Sequence, residues 1–234
     1  MKIGENIAML PIIGMGTVYL VLMWDDKNLV LIDAGYPGTA SDIMTAIVSE
    51  GFNAKDLTHI IIMHQDWDHV GCVTDLCKNA ADIKVMAHED DAPYIDGRAV
   101  PLKLAARLAD YDNLAPEMQK RVDLQQEIYA NNKITVHKTL QDDEVLPICG
   151  GIKVIHTPGH TPGHIVLLHQ DSGTLVCGDA CHIKKGKMVE LTGPNPVHTP
   201  EMEQATASYE KIKSMNPSGI VAYHGGYLRM DGEQ

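Results

Sequence analysis

Short, nearly unbroken apolar runs alternate along this chain with stretches whose apolar residues recur at helical spacing. Runs at 18–24 and 29–33, divided by the polar turn Asp25-Asp26-Lys27-Asn28, predict a strand hairpin. Residues 41–50 place Ile43, Ala46 and Ile47 on one helical face, and Gly51 follows as a C-terminal cap. Residues 59–63, with three Ile, predict a strand buried on both faces whose end delivers His64 to a loop. A helix over 70–78 and a strand over 84–87 come next.

From 92 to 132 the pattern changes. Leu104, Leu108, Met118, Val122 and Ile128 recur at helical intervals, and Pro101 and Pro116 divide the stretch into two helices. Its apolar face is too small for a separate core, so it reads as a helical insertion, or lid, over a site. Strands are predicted at 134–136, 144–148, 152–155, 165–169 and 174–177, the last two joined by the turn Asp171-Ser172-Gly173. Thr199 as N-cap and Pro200 at the first position open a helix to about 215, and 220–223 forms a last strand ending at His224. Strands and helices interleave in both halves. The expectation is an α/β (α+β) fold, two packed sheets with helices outside, in a single domain spanning 1–234.

Composition narrows the function. The net charge is -12 without a basic run, which argues against nucleic acid and weakly against an anionic membrane surface. A local basic cluster could still hold a small acidic substrate. One Phe, two Trp and twelve Met imply an aliphatic core with methionine as gap-filler. Five cysteines without a small-scaffold pattern predict reduced thiols and a cytoplasmic location. The apolar N-terminal runs, interrupted by Gly14 and Gly16, read as strands rather than a signal peptide. No apolar run reaches the roughly 18–20 residues that span a bilayer.

The candidate chemistry centres on His64-Gln65-Asp66-Trp67-Asp68-His69. Charged and imidazole groups directly after a buried strand would be costly there unless they were paired. His160 in Thr157-Pro158-Gly159-His160, Asp179 in Cys177-Gly178-Asp179, His224 before Gly225-Gly226, and Asp33 each sit just beyond a predicted strand. Imidazole and carboxylate are ligands for zinc, iron or manganese. His59, His88, His137 and His198 read instead as surface or hydrogen-bonded histidines.

The order His-x-x-x-Asp-His, Thr-Pro-Gly-His, Gly-Asp and a late His resembles the metallo-β-lactamase superfamily over nearly the whole chain. That resemblance implies an αββα sandwich with two divalent metal ions at one edge, zinc foremost, with iron or manganese as alternatives. It assigns His64, residue 66 and His160 to a first metal, Asp68, His69 and His224 to a second, and Asp179 to both. Asp33 would orient a ligand from behind. Most members carry His where this chain has Asp66, which either faces away or serves as an oxygen ligand; the ligand reading is favoured. Three carboxylates plus a hydroxide would then neutralise two divalent ions.

The resemblance implies attack on a carbonyl by a metal-bridging hydroxide, with Asp68 and Asp179 as catalytic residues. His182 stands where lactonases of the superfamily carry a Tyr, and could protonate the leaving group. His156 and His164 would bond to groups behind the ligands. Lys184, Lys185 and Lys187 form a solvated hairpin by default, or a clamp for a substrate carboxylate. The leading expectation is a dinuclear hydrolase of a small-molecule ester or lactone, with thioester less favoured because only about ten residues follow His224. A di-iron redox enzyme and a metal-dependent nuclease are the alternatives, and a homodimer stays open.

Overall fold

In the computed structural model, which describes residues 1–80, 82–132, 134–189 and 199–230, the apolar runs of the first half pair into one sheet. Strands β1 (Lys2–Gly4), β2 (Ile7–Ile13), β3 (Thr17–Trp24) and β4 (Leu29–Ile32) form an antiparallel meander. Strands β5 (His59–Ile62), β6 (Lys84–His88) and β7 (Lys138–Leu140) extend it in parallel, giving the order β1 to β7. The second sheet contains β8 (Val145–Leu146), β9 (Ile152–His156), β10 (Ile165–His169), β11 (Thr174–Val176), β14 (Gly219–Ala222) and β15 (Gly226–Arg229). Its order is β15-β14-β11-β10-β9-β8, antiparallel except where β11 meets β14. A separate hairpin pairs β12 (His182–Lys184) with β13 (Lys187–Val189).

The period of two in β4 explains the layers. Val30 and Ile32 face Val154, Leu167 and Val221 of the other sheet. Leu29 and Leu31 face outward onto α1 (Ala40–Ser49) through Ile43 and Ile47, and onto α3 (Val73–Asn79) through Val73 and Leu76. The far side of the second sheet packs Ile220 and Val166 against Tyr209 and Ile212 of α7 (Met202–Lys213). The result is an αββα sandwich. Met9, Met23, Met63 and Met86 all lie in the layer between the sheets, where adaptable side chains fill the gap between two twisted surfaces.

Three predicted elements form differently. Residues 70–78 are not one helix: α2 (Trp67–Val70) and α3 are separated because the amides of Gly71 and Cys72 donate to the carbonyls of Gly35 and Ala34. Gly71 permits that approach, since a Cβ there would lie 2.4 Å from the Pro37 nitrogen. Residues 134–136 are not a strand. Val85 donates its amide to the His137 imidazole, so the ladder with β6 starts only at Lys138. Helix α7 starts at Met202, with Glu201 rather than Thr199 at its N-cap. The Glu201 amide bonds the Gly159 carbonyl and holds this stretch against the His160 loop.

Between β6 and β7 lie α4 (Ala92–Ile95), α5 (Leu102–Ala109) and α6 (Pro116–Asn131). Pro101 and Pro116 sit at the starts of α5 and α6, as the sequence predicts, and α4 is an additional turn. The insertion docks through Gln65, whose side chain accepts from the Leu102 amide and whose carbonyl accepts from the Tyr129 hydroxyl. Among the described residues no helix is long and apolar enough to cross a membrane.

Candidate metal centre

Parallel strands finish at the same sheet edge, and both parallel pairs matter here. Asp33 and His64 follow β4 and β5 in the first sheet; Asp179 and His224 follow β11 and β14 in the second. The loop after β9 adds His160, and the four-residue helix α2 adds Asp68 and His69. Asp66 is the N-cap residue of α2, yet its carboxylate makes no capping bond. It turns instead towards His64 and His160.

Two groups result, joined by Asp179. Asp179 Oδ2 lies 4.0 Å from His64 Nε2 and 3.4 Å from His160 Nε2. Asp66 Oδ2 completes this group, 3.4 Å from His64 Nε2 and 3.1 Å from His160 Nε2. The other oxygen, Asp179 Oδ1, lies 3.7 Å from His69 Nε2 and 3.6 Å from His224 Nε2. Asp68 Oδ2 stands 3.5 Å from His224 Nε2. Bonds of about 2.1 Å to a tetrahedral ion place ligand atoms about 3.4 Å apart, so both groups have the spacing of a coordination shell.

Several of the donor atoms also lack other partners. His64 Nε2, His69 Nε2 and Asp179 Oδ1 are buried without a hydrogen bond. Three such atoms converging on one point would be strongly destabilising without a cation. The residues therefore fit a divalent ion. Asp66 faces inward, which favours the ligand reading over the outward one.

Supporting contacts fix the donors. His69 Nδ1 meets Asp33 Oδ2 at 2.8 Å, and the other Asp33 oxygen accepts from the Met63 amide at 2.9 Å. Asp33 holds this position with φ of 62°, a left-handed backbone uncommon outside Gly, Asn and Asp. Burial lowers the pKa of His69, but Asp33 and Asp179 more than reverse this and raise it well above the usual value. His164 accepts from the Asp179 amide at 3.1 Å, as expected for a residue behind the ligands. His156, the last residue of β9, instead bonds the Pro162 carbonyl and stacks on His88. Tyr223 stacks on His69 with ring centroids 3.7 Å apart and donates its hydroxyl to the Asp68 carbonyl.

Of the histidines read as bland, His59 bonds Thr58 and His137 bonds Val85, whereas His198 lies outside the described residues. His88 stacks on His156 at 4.2 Å and, with exposed Asp90, brings three ligand-type atoms together.

Two contributors escape the sequence reading. Buried Asp91 accepts from the amide and side chain of Gln65, the Thr161 hydroxyl and the Gly163 amide, tying the first motif to the His160 loop. In sequence it ends the acidic run Glu89-Asp90-Asp91, which looks solvated. Lys103 of α5 donates to Asp66 Oδ2 and lies 2.8 Å from His160 Nε2. Burial pushes Asp66 upward, but Lys103 and the neighbouring imidazoles hold it well below the usual carboxylate range. Burial and Lys103 together push His160 down to about 4.

Asp66, Asp68, His160, Asp179 and His224 floor a cleft of about 210 Å³ whose walls include Tyr36, Trp67, Arg107, Arg121 and Tyr129. Arg121 lies over the Trp67 ring at 5.3 Å, and Arg107 donates to Gln125. His182 stands outside this wall, edge-on to His224 with centroids 5.5 Å apart. Lys184, Lys185 and Lys187 are exposed on the β12–β13 hairpin and do not line the cleft, so the local basic cluster comes from the insertion.

The sequence profile of the metallo-beta-lactamase superfamily matches residues 12–224, and the chain belongs to that superfamily. It is 30% identical over 223 residues to the probable metallo-hydrolase YflN of Bacillus subtilis, spanning 88% of this chain and 79% of that one. It is 28% identical over 182 residues to a hydroxyacylglutathione hydrolase of Saccharophagus degradans, spanning 76% of this chain and 53% of that one. Among solved structures, a metallo-beta-lactamase family protein from Thermus thermophilus superposes with a TM-score of 0.76 at 20% identity, covering 98% of this chain and 76% of that one. That likeness concerns the fold alone.

Proposed function

We propose that this protein is a metal-dependent hydrolase of a small ester, lactone or thioester that carries an anionic group. The observation that carries the reading is the pair of donor groups sharing Asp179 beneath a cleft walled by Arg107 and Arg121. His64, Asp66, His160 and Asp179 would hold one ion; Asp68, His69, His224 and Asp179 would hold the other. Zinc is the leading metal, with manganese and iron as alternatives. A bound divalent ion supplies an acidified water and a Lewis acid for the carbonyl.

The chain's own residues do the rest. Asp68 and Asp179 orient the nucleophilic water by accepting its hydrogen bonds. Arg121 and Arg107 attract the anionic end of the substrate and leave its carbonyl over the ligands. Trp67 and Tyr129 cover the cleft and limit bulk water. His182, whose pKa burial lowers, stands beside His224 outside the cleft wall, so its N–H would serve only a leaving group that extends past that wall.

The hydroxyacylglutathione hydrolases among the relatives favour a thioester over the lactone suggested by the insertion. A glutathione thioester also carries carboxylates, which suits two arginines in the cleft wall. Residues 1–234 act as one unit with 92–132 as its lid, in a reducing cytoplasm; five free thiols support that compartment. No nucleic-acid or membrane partner is needed.

The test is a panel of acyl-glutathione thioesters, lactones and aryl esters, each with and without a carboxylate, assayed on zinc- and manganese-loaded protein. Turnover of an anionic ester or thioester that chelation abolishes is expected. No turnover of any member by fully metal-loaded protein sinks the proposal.

A further inference from the structure

Among the described residues, the two donor groups differ in one respect: only the first contains a lysine ammonium. Lys103 is buried, and its ammonium bonds Asp66 Oδ2 and lies 2.8 Å from His160 Nε2. A carboxylate oxygen has lone pairs to spare and can accept from a lysine while binding an ion. An imidazole nitrogen has a single in-plane lone pair. His160 Nε2 can therefore serve Lys103 or an ion, but not both. His160 Nδ1 is buried without a partner, so the ring gains nothing by exchanging its two edges.

The charge balance points the same way. Asp66, Asp68 and Asp179 contribute three negative charges, and Lys103 offsets one. A single divalent ion neutralises the remainder, whereas a second leaves an excess of positive charge beside a buried ammonium. The other group, Asp68, His69, His224 and Asp179, has no lysine partner among the described residues, and His69 Nε2 and Asp179 Oδ1 stand unpaired.

We infer that Lys103 is an internal competitor for the first metal position, so that the centre loads in order: one ion tightly at Asp68, His69, His224 and Asp179, and a second only when it displaces Lys103 from His160. The insertion thus sets metal stoichiometry as well as cleft shape. Over a range of free metal concentrations the protein holds one ion per chain. This rests on the metal-dependent reading above, but concerns binding rather than turnover.

The experiment is zinc titration of chelator-stripped full-length protein by calorimetry, with bound metal counted by elemental analysis after dialysis. The wild type is expected to bind two equivalents in separate steps. Lys103→Met, which keeps the aliphatic stem and removes the charge, should tighten the weaker step by about 10- to 100-fold, the range for losing charge-assisted hydrogen bonds. In the wild type, His224→Ala should abolish the tight step and His160→Ala the weak one. Two equal tight steps in the wild type, or a weak step unchanged in Lys103→Met, overturns the role of Lys103 while leaving the hydrolase reading intact. No tight ion in either protein overturns both. Should Lys103→Met fail to fold, the stepwise titration and histidine variants of the wild type still decide the order of loading.

Discussion

Asp33 Oδ2 and His69 Nδ1 lie 2.8 Å apart, both buried, and this contact leaves His69 Nε2 facing Asp179 in the donor cluster. Asp33→Asn isolates the charge, because Asn tolerates the same left-handed backbone. The expected result is a loss of about 10- to 100-fold in zinc affinity with the fold intact, the range found for partners behind a metal-binding histidine. Unchanged affinity in a competition assay with a chromogenic chelator would show that Asp33 serves only the backbone.

Asp91 closes four hydrogen bonds from Gln65, Thr161 and Gly163. Asp91→Ala leaves several buried donors unpaired, each worth about 1–3 kcal/mol. Urea unfolding is expected to show a loss above about 3 kcal/mol, with a matching fall in metal affinity because the His64 and His160 loops are no longer tied together. A loss below about 1 kcal/mol would mean that water replaces the carboxylate at little expense.

Arg121 is exposed at the cleft and rests on Trp67 at 5.3 Å. Arg121→Ala should raise KM for carboxylate-bearing substrates by about fivefold, a modest effect in keeping with a solvated charge. Little change is expected for kcat or for neutral esters. Equal loss on both substrate types would place its role in holding Trp67 instead.

Asp25 joins the turn after β3 to the second sheet, accepting from the amides of Lys27, Asn28 and Cys149. Burial opposes ionisation, but these bonds prevail and lower its pKa from 3.8 to about 2. A depressed folded-state pKa gives stability that is present above about pH 3.8 and lost as pH falls towards 2. Asp25→Asn should therefore lower the melting temperature near neutrality and flatten its decline between about pH 4 and pH 2. Parallel melting profiles for variant and wild type would contradict this.

The sequence made much of the site legible because its donors share a simple grammar: a buried strand, a sharp exit, then His or Asp. Asp33, His64, Asp179 and His224 all obey it. Lys103 could not be read that way. On an amphipathic helix beside Leu102 and Leu104, a lysine looks solvated, and only the packing of α5 through Gln65 turns it inward. Asp91 was hidden by acidic neighbours that do face water. The errors in secondary structure have a common cause too. At Gly71, His137 and Glu201, a backbone or side-chain partner from another element takes a hydrogen bond that local periodicity assigns to the element itself.

Asp66 and His160 stand 94 positions apart, and the donors around Asp179 are drawn from both sheets. An ion held there is a cross-link as well as a reagent. It binds the folded chain and not the open one, so a thousandfold excess over its dissociation constant stabilises the fold by about 4 kcal/mol. Metal supply would then govern how long each molecule survives proteolysis, and starvation for metal would lower the amount of protein as well as its activity.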